Sequence, residues 1–130
     1  MCLPKIDEYD VDAKGSPALW KAQRAFLSAE LLRGKLHLDC AANRYYYALL
    51  HLASHWFGYG KTHGELTAEY LRKIDDKAQK AISRAQSARN RADYKDVPVS
   101  VETICLVIAP VTEAMARGLD SAGIKRKTAE

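Results

Sequence analysis

The stretch from Asp39 to Phe57 constrains the fold of this chain more than any other. Ala42, Tyr45, Leu49, Leu52, Ala53 and Trp56 recur at the spacing of one helical face, and Tyr46, Leu50 and Phe57 widen it. A helix that is apolar over so much of its circumference has to be buried among other elements rather than laid on a surface. At about 100° per residue, Cys40, Arg44, Tyr47, His51 and His55 fall together on roughly the opposite quarter. The segment therefore predicts a core helix with one polar strip, and a fold organised around it.

The flanking segments predict the helices that would bury it. Ser16-Pro17 reads as a helix start, and Leu19, Ala22, Phe26 and Ala29 form a stripe through residues 17–36, with Trp20, Leu27 and Leu31 beside it. Gly58 to Gly64 reads as a loop, residues 65–74 as a short helix and residues 76–94 as a longer one. The longer helix has an inner face of Ala78, Ala81, Ile82, Ala85, Ala88 and Ala92, and a basic outer face. Ser100 can cap a last helix in which Val101, Ile104, Cys105, Ile108, Met115 and Leu119 repeat, with a kink expected at Pro110. The β-branched run from Val99 to Val111 could form a strand, but a lone strand among helices has no partner. The expected fold is all-α. Residues 1–16 form an arm, residues 17–120 a helical bundle, and residues 121–130 a basic tail expected to lack structure.

A chain of 130 residues can bury one core without disulfides or metals. Cys2, Cys40 and Cys105 are odd in number and widely spaced, as expected for reduced thiols in a cytosolic compartment. The acidic Asp7-Glu8-Tyr9-Asp10 lacks the layout of a leader, and no apolar run is long enough for a bilayer, so a cytoplasmic location away from membranes is expected. The net charge of +4 permits an acidic partner without identifying one, since Lys125-Arg126-Lys127 supply much of the excess.

Several clusters bear on chemistry. Gly60-Lys61-Thr62 resembles the end of a phosphate-binding P-loop, yet the first glycine of that motif would fall at His55 and a helix precedes the loop instead of a strand. His51 and His55 stand one turn apart but lack a clear ligand set with His63 or Cys40, so neither metal nor cofactor is expected. Arg89 is the sharper feature, because it lies on the inner face in line with Ile82 and Ala85. A guanidinium there must be paired, solvated by a cleft, or offered to an anion. Pairing with Asp93 at i, i+4 is one account. Alternatively, if the second and fourth helices border one cleft, Arg44, Tyr47, His51 and Arg89 converge as an aromatic-lined patch suited to a nucleotide or an RNA phosphate. Tyr45 and Tyr46 are expected to pack in the core with their hydroxyls satisfied.

Asn43-Arg44-Tyr45-Tyr46-Tyr47-Ala48 with His51, the Lys61-Thr62-His63 loop, and Arg89-Asn90 ahead of Ala92-Asp93-Tyr94 together resemble the HEPN (higher eukaryotes and prokaryotes nucleotide-binding) superfamily over about residues 17–120. The resemblance implies an up-and-down bundle of four to five helices, usually a homodimer. Many members are ribonuclease toxins in which an Arg, a following polar residue and a His a few positions further on act across the dimer cleft, often paired with a nucleotidyltransferase antitoxin. Arg89 and Asn90 match the first part, but Tyr94-Lys95-Asp96 occupy the place of the His, and no histidine follows His63. The chain is most similar to the branch in which Ala-Asp-Tyr replaces that segment. Proton transfer near neutral pH suits His and not an ordinary Tyr.

The leading expectation is RNA or nucleotide binding, with Arg89, Asn90 and His51 as the reactive group and Arg44, Tyr47, Asp93 and Tyr94 as ligand-binding residues. It carries with it a homodimer, and a toxin–antitoxin-like pairing with a nucleotidyltransferase. The second is a non-catalytic protein-interaction or dimerisation module that docks through the alanine-rich fourth helix. A third is an active ribonuclease with His51 as the proton carrier.

Overall fold

The computed structural model describes residues 3–94 and 98–127, and of Tyr94 the backbone alone. Five helices follow in order: α1 (Pro17–Gly34), α2 (Leu38–Phe57), α3 (His63–Lys73), α4 (Gln79–Tyr94) and α5 (Val101–Ser121). Single turns of 3-10 helix form at Ile6–Glu8 and Asp76–Ala78. No strand occurs among the described residues, so the fold is an all-α helical bundle, with α2 packed against each of the other four helices. Tyr45, Leu52, Ala41, Ala42 and Ala48 of α2 are fully enclosed, as its wide apolar face requires.

Local chemistry sets the helix ends. Thr62 caps α3 in a reciprocal box, its hydroxyl accepting from the Glu65 amide at 3.2 Å while the Glu65 carboxylate accepts from the Thr62 amide at 2.9 Å. The helix thus starts at His63, earlier than the glycines imply. Ser100 accepts from the Thr103 amide at 3.1 Å, as expected of a cap, whereas Ser16 makes no such bond and α1 relies on Pro17 in its first turn. Residues 76–78 form a 3-10 turn capped by Asp75, so α4 begins only at Gln79. After α1, Leu36 adopts φ 63° while the His37 amide reaches the Leu32 carbonyl at 2.8 Å. This helix-ending motif usually takes glycine, so a leucine there carries strain.

Packing departs from the expected stripes in two places. Val101 and Cys105 are exposed, and α5 turns Ile104, Val107, Val111, Met115 and Leu119 inward. The first half of that helix is apolar on nearly every side, so its period alone does not choose a face. The helix is continuous through Pro110. Deeper in the bundle, Gly118 lies against Leu52 and Tyr70: a Cβ there would approach the Leu52 methyls to 2.6 and 2.8 Å and the Tyr70 hydroxyl to 2.8 Å.

The basic tail, expected to lack structure, is fastened to the arm as far as Lys127. The Asp10 amide donates to the Lys125 carbonyl at 2.8 Å and the Lys127 amide to the Glu8 carbonyl at 2.6 Å. Buried Tyr9 donates to Asp120 at 2.9 Å and accepts from Arg126 at 3.0 Å. Gln23, itself buried, donates to the Ile6 and Tyr9 carbonyls at 2.9 and 2.8 Å. The arm is held because Ile6 and Tyr9 are buried, and the tail because Gly123 takes φ 79° and Ile124 packs on the core. Cys2, Lys95-Asp96-Val97 and residues 128–130 lie outside the described residues. Among the described residues, no helix is long and apolar enough to cross a membrane.

Candidate functional site

The polar strip of α2 faces two elements, α4 at one end and the connector into α3 at the other. Arg89 of α4 leans onto α2, its guanidinium carbon 5.2 Å from the Tyr46 ring centre and 5.9 Å from that of Tyr47. Only 20% of its side chain is exposed. Its Nε lies 3.1 Å from Asp93 Oδ2, yet that atom is buried and finds no partner with hydrogen-bond geometry among the described residues. The contact is therefore Coulombic attraction without a directed bond, and beside it the two aromatic faces make a cation–π arrangement worth about 0.5–2 kcal/mol.

From Arg89 a chain of rings runs along the strip. Tyr46 and Tyr47 meet edge to face at 5.6 Å, and the His63 ring stands 5.9 Å from the first and 5.8 Å from the second. The His51 ring follows at 6.4 Å from Tyr47, and its Nδ1 is 3.0 Å from the Tyr59 hydroxyl. Lys21 of α1 places its ammonium 5.4 Å over the Tyr59 ring. Between these rings opens a cavity of about 130 Å³, walled by Tyr47, His51, Tyr59 and His63, with Ser54, Lys61, Leu50 and Leu66 completing it.

Larger hollows occur elsewhere among the described residues. One of about 240 Å³ is walled by Arg84, Arg91, Ser83, Ser87 and Leu106, and one of about 320 Å³ by Leu31, Leu32 and Lys35. Two more are one of about 290 Å³ beside Leu36–Cys40 and Pro98–Val99 and one of about 430 Å³ between the arm and α1. The first of these two has no lysine or arginine in its walls. In the second, Arg33 is already engaged by Glu30 and the Tyr45 hydroxyl, which also donates to Glu30. The smaller cavity is the one in which several rings and a lysine converge without partners of that kind.

Two further polar atoms on α2 are buried without a partner among the described residues, Asn43 Oδ1 and Arg44 Nε. They precede Tyr47 by one helical turn. Such atoms each cost about 1–3 kcal/mol when nothing, water included, satisfies them, and the Tyr70 hydroxyl inside the bundle is another.

The residues singled out in the sequence are thus distributed unevenly. Arg89 reaches both Tyr47 and Asp93, and the His51 ring neighbours that of Tyr47. Arg44 acts on His51 through its charge. No hydrogen bond or ion pair joins Arg89 to His51 or Arg44 among the described residues; the Tyr47 ring neighbours both Arg89 and His51. Asn90 is exposed on the next helical position, and the Tyr94 side chain lies outside what is described. Tyr45 and Tyr46 are buried, the first fully hydrogen-bonded and the second with its hydroxyl 3.4 Å from His63 Nδ1, yet the ring of Tyr46 also supports Arg89. Lys61 and His63 were singled out only as parts of a loop motif and Tyr59 not at all, because Tyr59 and Lys61 sit in a glycine-rich connector whose path no periodicity reveals and His63 opens α3 directly after it. The signal for them is the Thr62 to Glu65 capping box, which fixes where that connector ends. Among the described residues, no three His, Cys, Asp or Glu side chains are placed to hold a metal.

Burial, and after it the charges of Lys21 and Arg44, lowers the His51 pKa from its ordinary 6.5. Below that value the unfolded chain takes up a proton that the folded protein still refuses. Stability attached to this ring is therefore present above pH 6.5, declines as pH falls through the interval beneath it, and is fully lost below the folded value. In urea unfolding between about pH 7 and pH 5, His51→Gln is expected to lose less stability than the wild type. Identical losses would assign the effect to another group.

Compared with protein-family models, with curated proteins and with solved structures, the chain finds no match.

Proposed function

We propose that this chain is a HEPN-like helical protein that binds RNA or a nucleotide along the strip from Arg89 to His51, and that it works as a homodimer paired with a nucleotidyltransferase in a toxin–antitoxin-like couple. The observation that carries the binding reading is Arg89, a largely buried cation stacked on Tyr46 and Tyr47 whose Nε lacks a directed bond. A guanidinium fixed in this way presents its outer nitrogens in a planar fork matched to phosphate. Adjacent Tyr47 supplies a face on which a base can stack. The dimer and the partner enzyme rest on the resemblance in motif order alone.

Cutting with His51 as the proton carrier is disfavoured because that imidazole is held by Tyr59 and lies beyond Tyr47 from Arg89; the imidazole nearer to Arg89 is His63, whose ring borders Tyr46 and Tyr47. A ribonuclease needs its proton carrier beside the phosphate that its cation grips. As to protein docking, the alanine face of α4 is spent inside the bundle, since Ala81, Ala85 and Ala88 are buried, as is Ala78 just before the helix. Among the described residues, exposed Leu3, Trp20, Leu31, Leu36, Val101 and Leu106 are the apolar positions left for that second reading.

The test is a titration of the protein with nucleotides and short single-stranded RNA at low salt, where phosphate contacts are strongest. Wild type is expected to bind and Arg89→Ala to bind at least tenfold more weakly, as loss of a hydrogen-bonded charge implies. Equal affinities would sink the site, and no binding by either protein would leave the docking module as the better account.

A further inference from the structure

We propose that the cavity among α2, the connector at residues 58–62 and α3 is a pocket for one unpaired pyrimidine base of a single-stranded RNA, with the backbone phosphate at its cationic rim. This rests on the RNA-binding reading above and adds which part of the strand is read, and where.

Size speaks first. A dry cavity of about 150 Å³ takes up one benzene ring, and this one measures about 130 Å³. One six-membered ring fills it, and because the hollow opens to solvent the second ring of a purine would lie outside its walls. The walls are suited to a flat heteroaromatic. Tyr47, His51, Tyr59 and His63 present ring edges and faces around the space, and Leu50 and Leu66, both buried, close its apolar side. Base stacking on such rings is a recurrent means of holding splayed single strands.

Polar groups sit where a base edge would need them. Ser54 is buried and donates its proton to the Leu50 carbonyl at 2.8 Å, so its oxygen remains an acceptor for a ring or amino N–H. His51 engages Tyr59 through Nδ1, leaving Nε2 as the ring nitrogen available to a ligand. Lys61 stands at the lip, and Lys21 lies over the outer wall.

Tyr59 argues against a purely structural account. It is 53% exposed, lies between Gly58 and Gly60, and is joined to the body by its hydroxyl to His51 and by the cation above it. A tyrosine so placed adds little to the core. It makes an outer wall that can close on a ligand.

The experiment titrates the full chain with triuridylate, triadenylate and an abasic trinucleotide of the same charge. Wild type is expected to prefer triuridylate to both others. Tyr59→Ala should weaken triuridylate binding about five- to tenfold, the loss of one base stack, while leaving the abasic strand unchanged. Tyr59→Phe, which keeps the ring, should retain most of the affinity. Equal weakening of both strands by Tyr59→Ala, or indifference between triuridylate and either other probe, overturns the pocket. Abasic binding that depends on Arg89 without any base preference would remove the pocket and keep the anion site. Triuridylate binding that depends on Tyr59 but ignores Arg89→Ala would do the reverse. Absence of binding by every probe removes both.

Discussion

Leu52→Ala is expected to lower the free energy of unfolding by about 2–5 kcal/mol, and a second change, Gly118→Ala, to cost less in that background than it does alone. Leu52 is fully buried at the point where α2 crosses α5, and truncating it removes both its transfer energy and its packing partners. In the wild type the same methyls stand 2.6 and 2.8 Å from where a Gly118 Cβ would sit. Gly118→Ala alone therefore overpacks the crossing, by about 1–3 kcal/mol, against a gain of about 1 kcal/mol in helix propensity. Once Leu52 is shortened those clashes disappear, and the new methyl enters the space vacated; only the Tyr70 hydroxyl, at 2.8 Å, still has to move. Denaturant unfolding of the four proteins in the cycle measures the coupling. Strict additivity would show that the close approach of α2 to α5 is not what requires glycine.

Arg89→Met is expected to leave stability unchanged or to raise it, while weakening RNA binding tenfold or more. Removing a recessed cation relieves desolvation, and a flexible thioether can occupy the same place against two tyrosines. Asp93 is left without its partner, but a third of its side chain faces solvent, so its charge remains hydrated. A residue retained for packing behaves in the opposite way: its replacement unfolds the protein and its ligands bind as before. Thermal and urea unfolding, set beside the RNA titration of the same variant, separate the two, and a loss of stability with intact binding would assign Arg89 to the scaffold.

How much of this could be read from the chain depended on how strongly local pattern dictates structure. Residues 39–57 were legible almost to the residue, because an apolar face that broad has one stable destination. Arg89 was legible as an anomaly, since a guanidinium in line with Ile82 and Ala85 contradicts its surroundings. Of its neighbours Asp93 and Tyr47 were legible and Tyr46 was not, because two adjacent tyrosines differ by only about 100° around a helix and either can be core or site. Tyr46 proves to be both. The face of α5 was ambiguous because Ile104 to Ile108 is apolar at every position. The connector at residues 58–62 was opaque, because glycines announce a turn but not its path, and the ring of Tyr59 reaches the site only through that path. The tail misled for a simpler reason: three consecutive basic residues outweighed one Ile124 and the pairing capacity of its backbone.

The fastening of arm to tail also bears on the order in which the molecule assembles. Arg126 and the Tyr9 hydroxyl are 117 positions apart, so their meeting closes a loop of nearly the whole chain. By contrast α1 and α2, joined by residues 35–37, find each other locally. Closing so long a loop is unfavourable until the intervening helices have already folded and brought its ends together. The clasp is accordingly a late event, formed on a finished bundle, and the same reasoning run backwards makes it the joint that opens first.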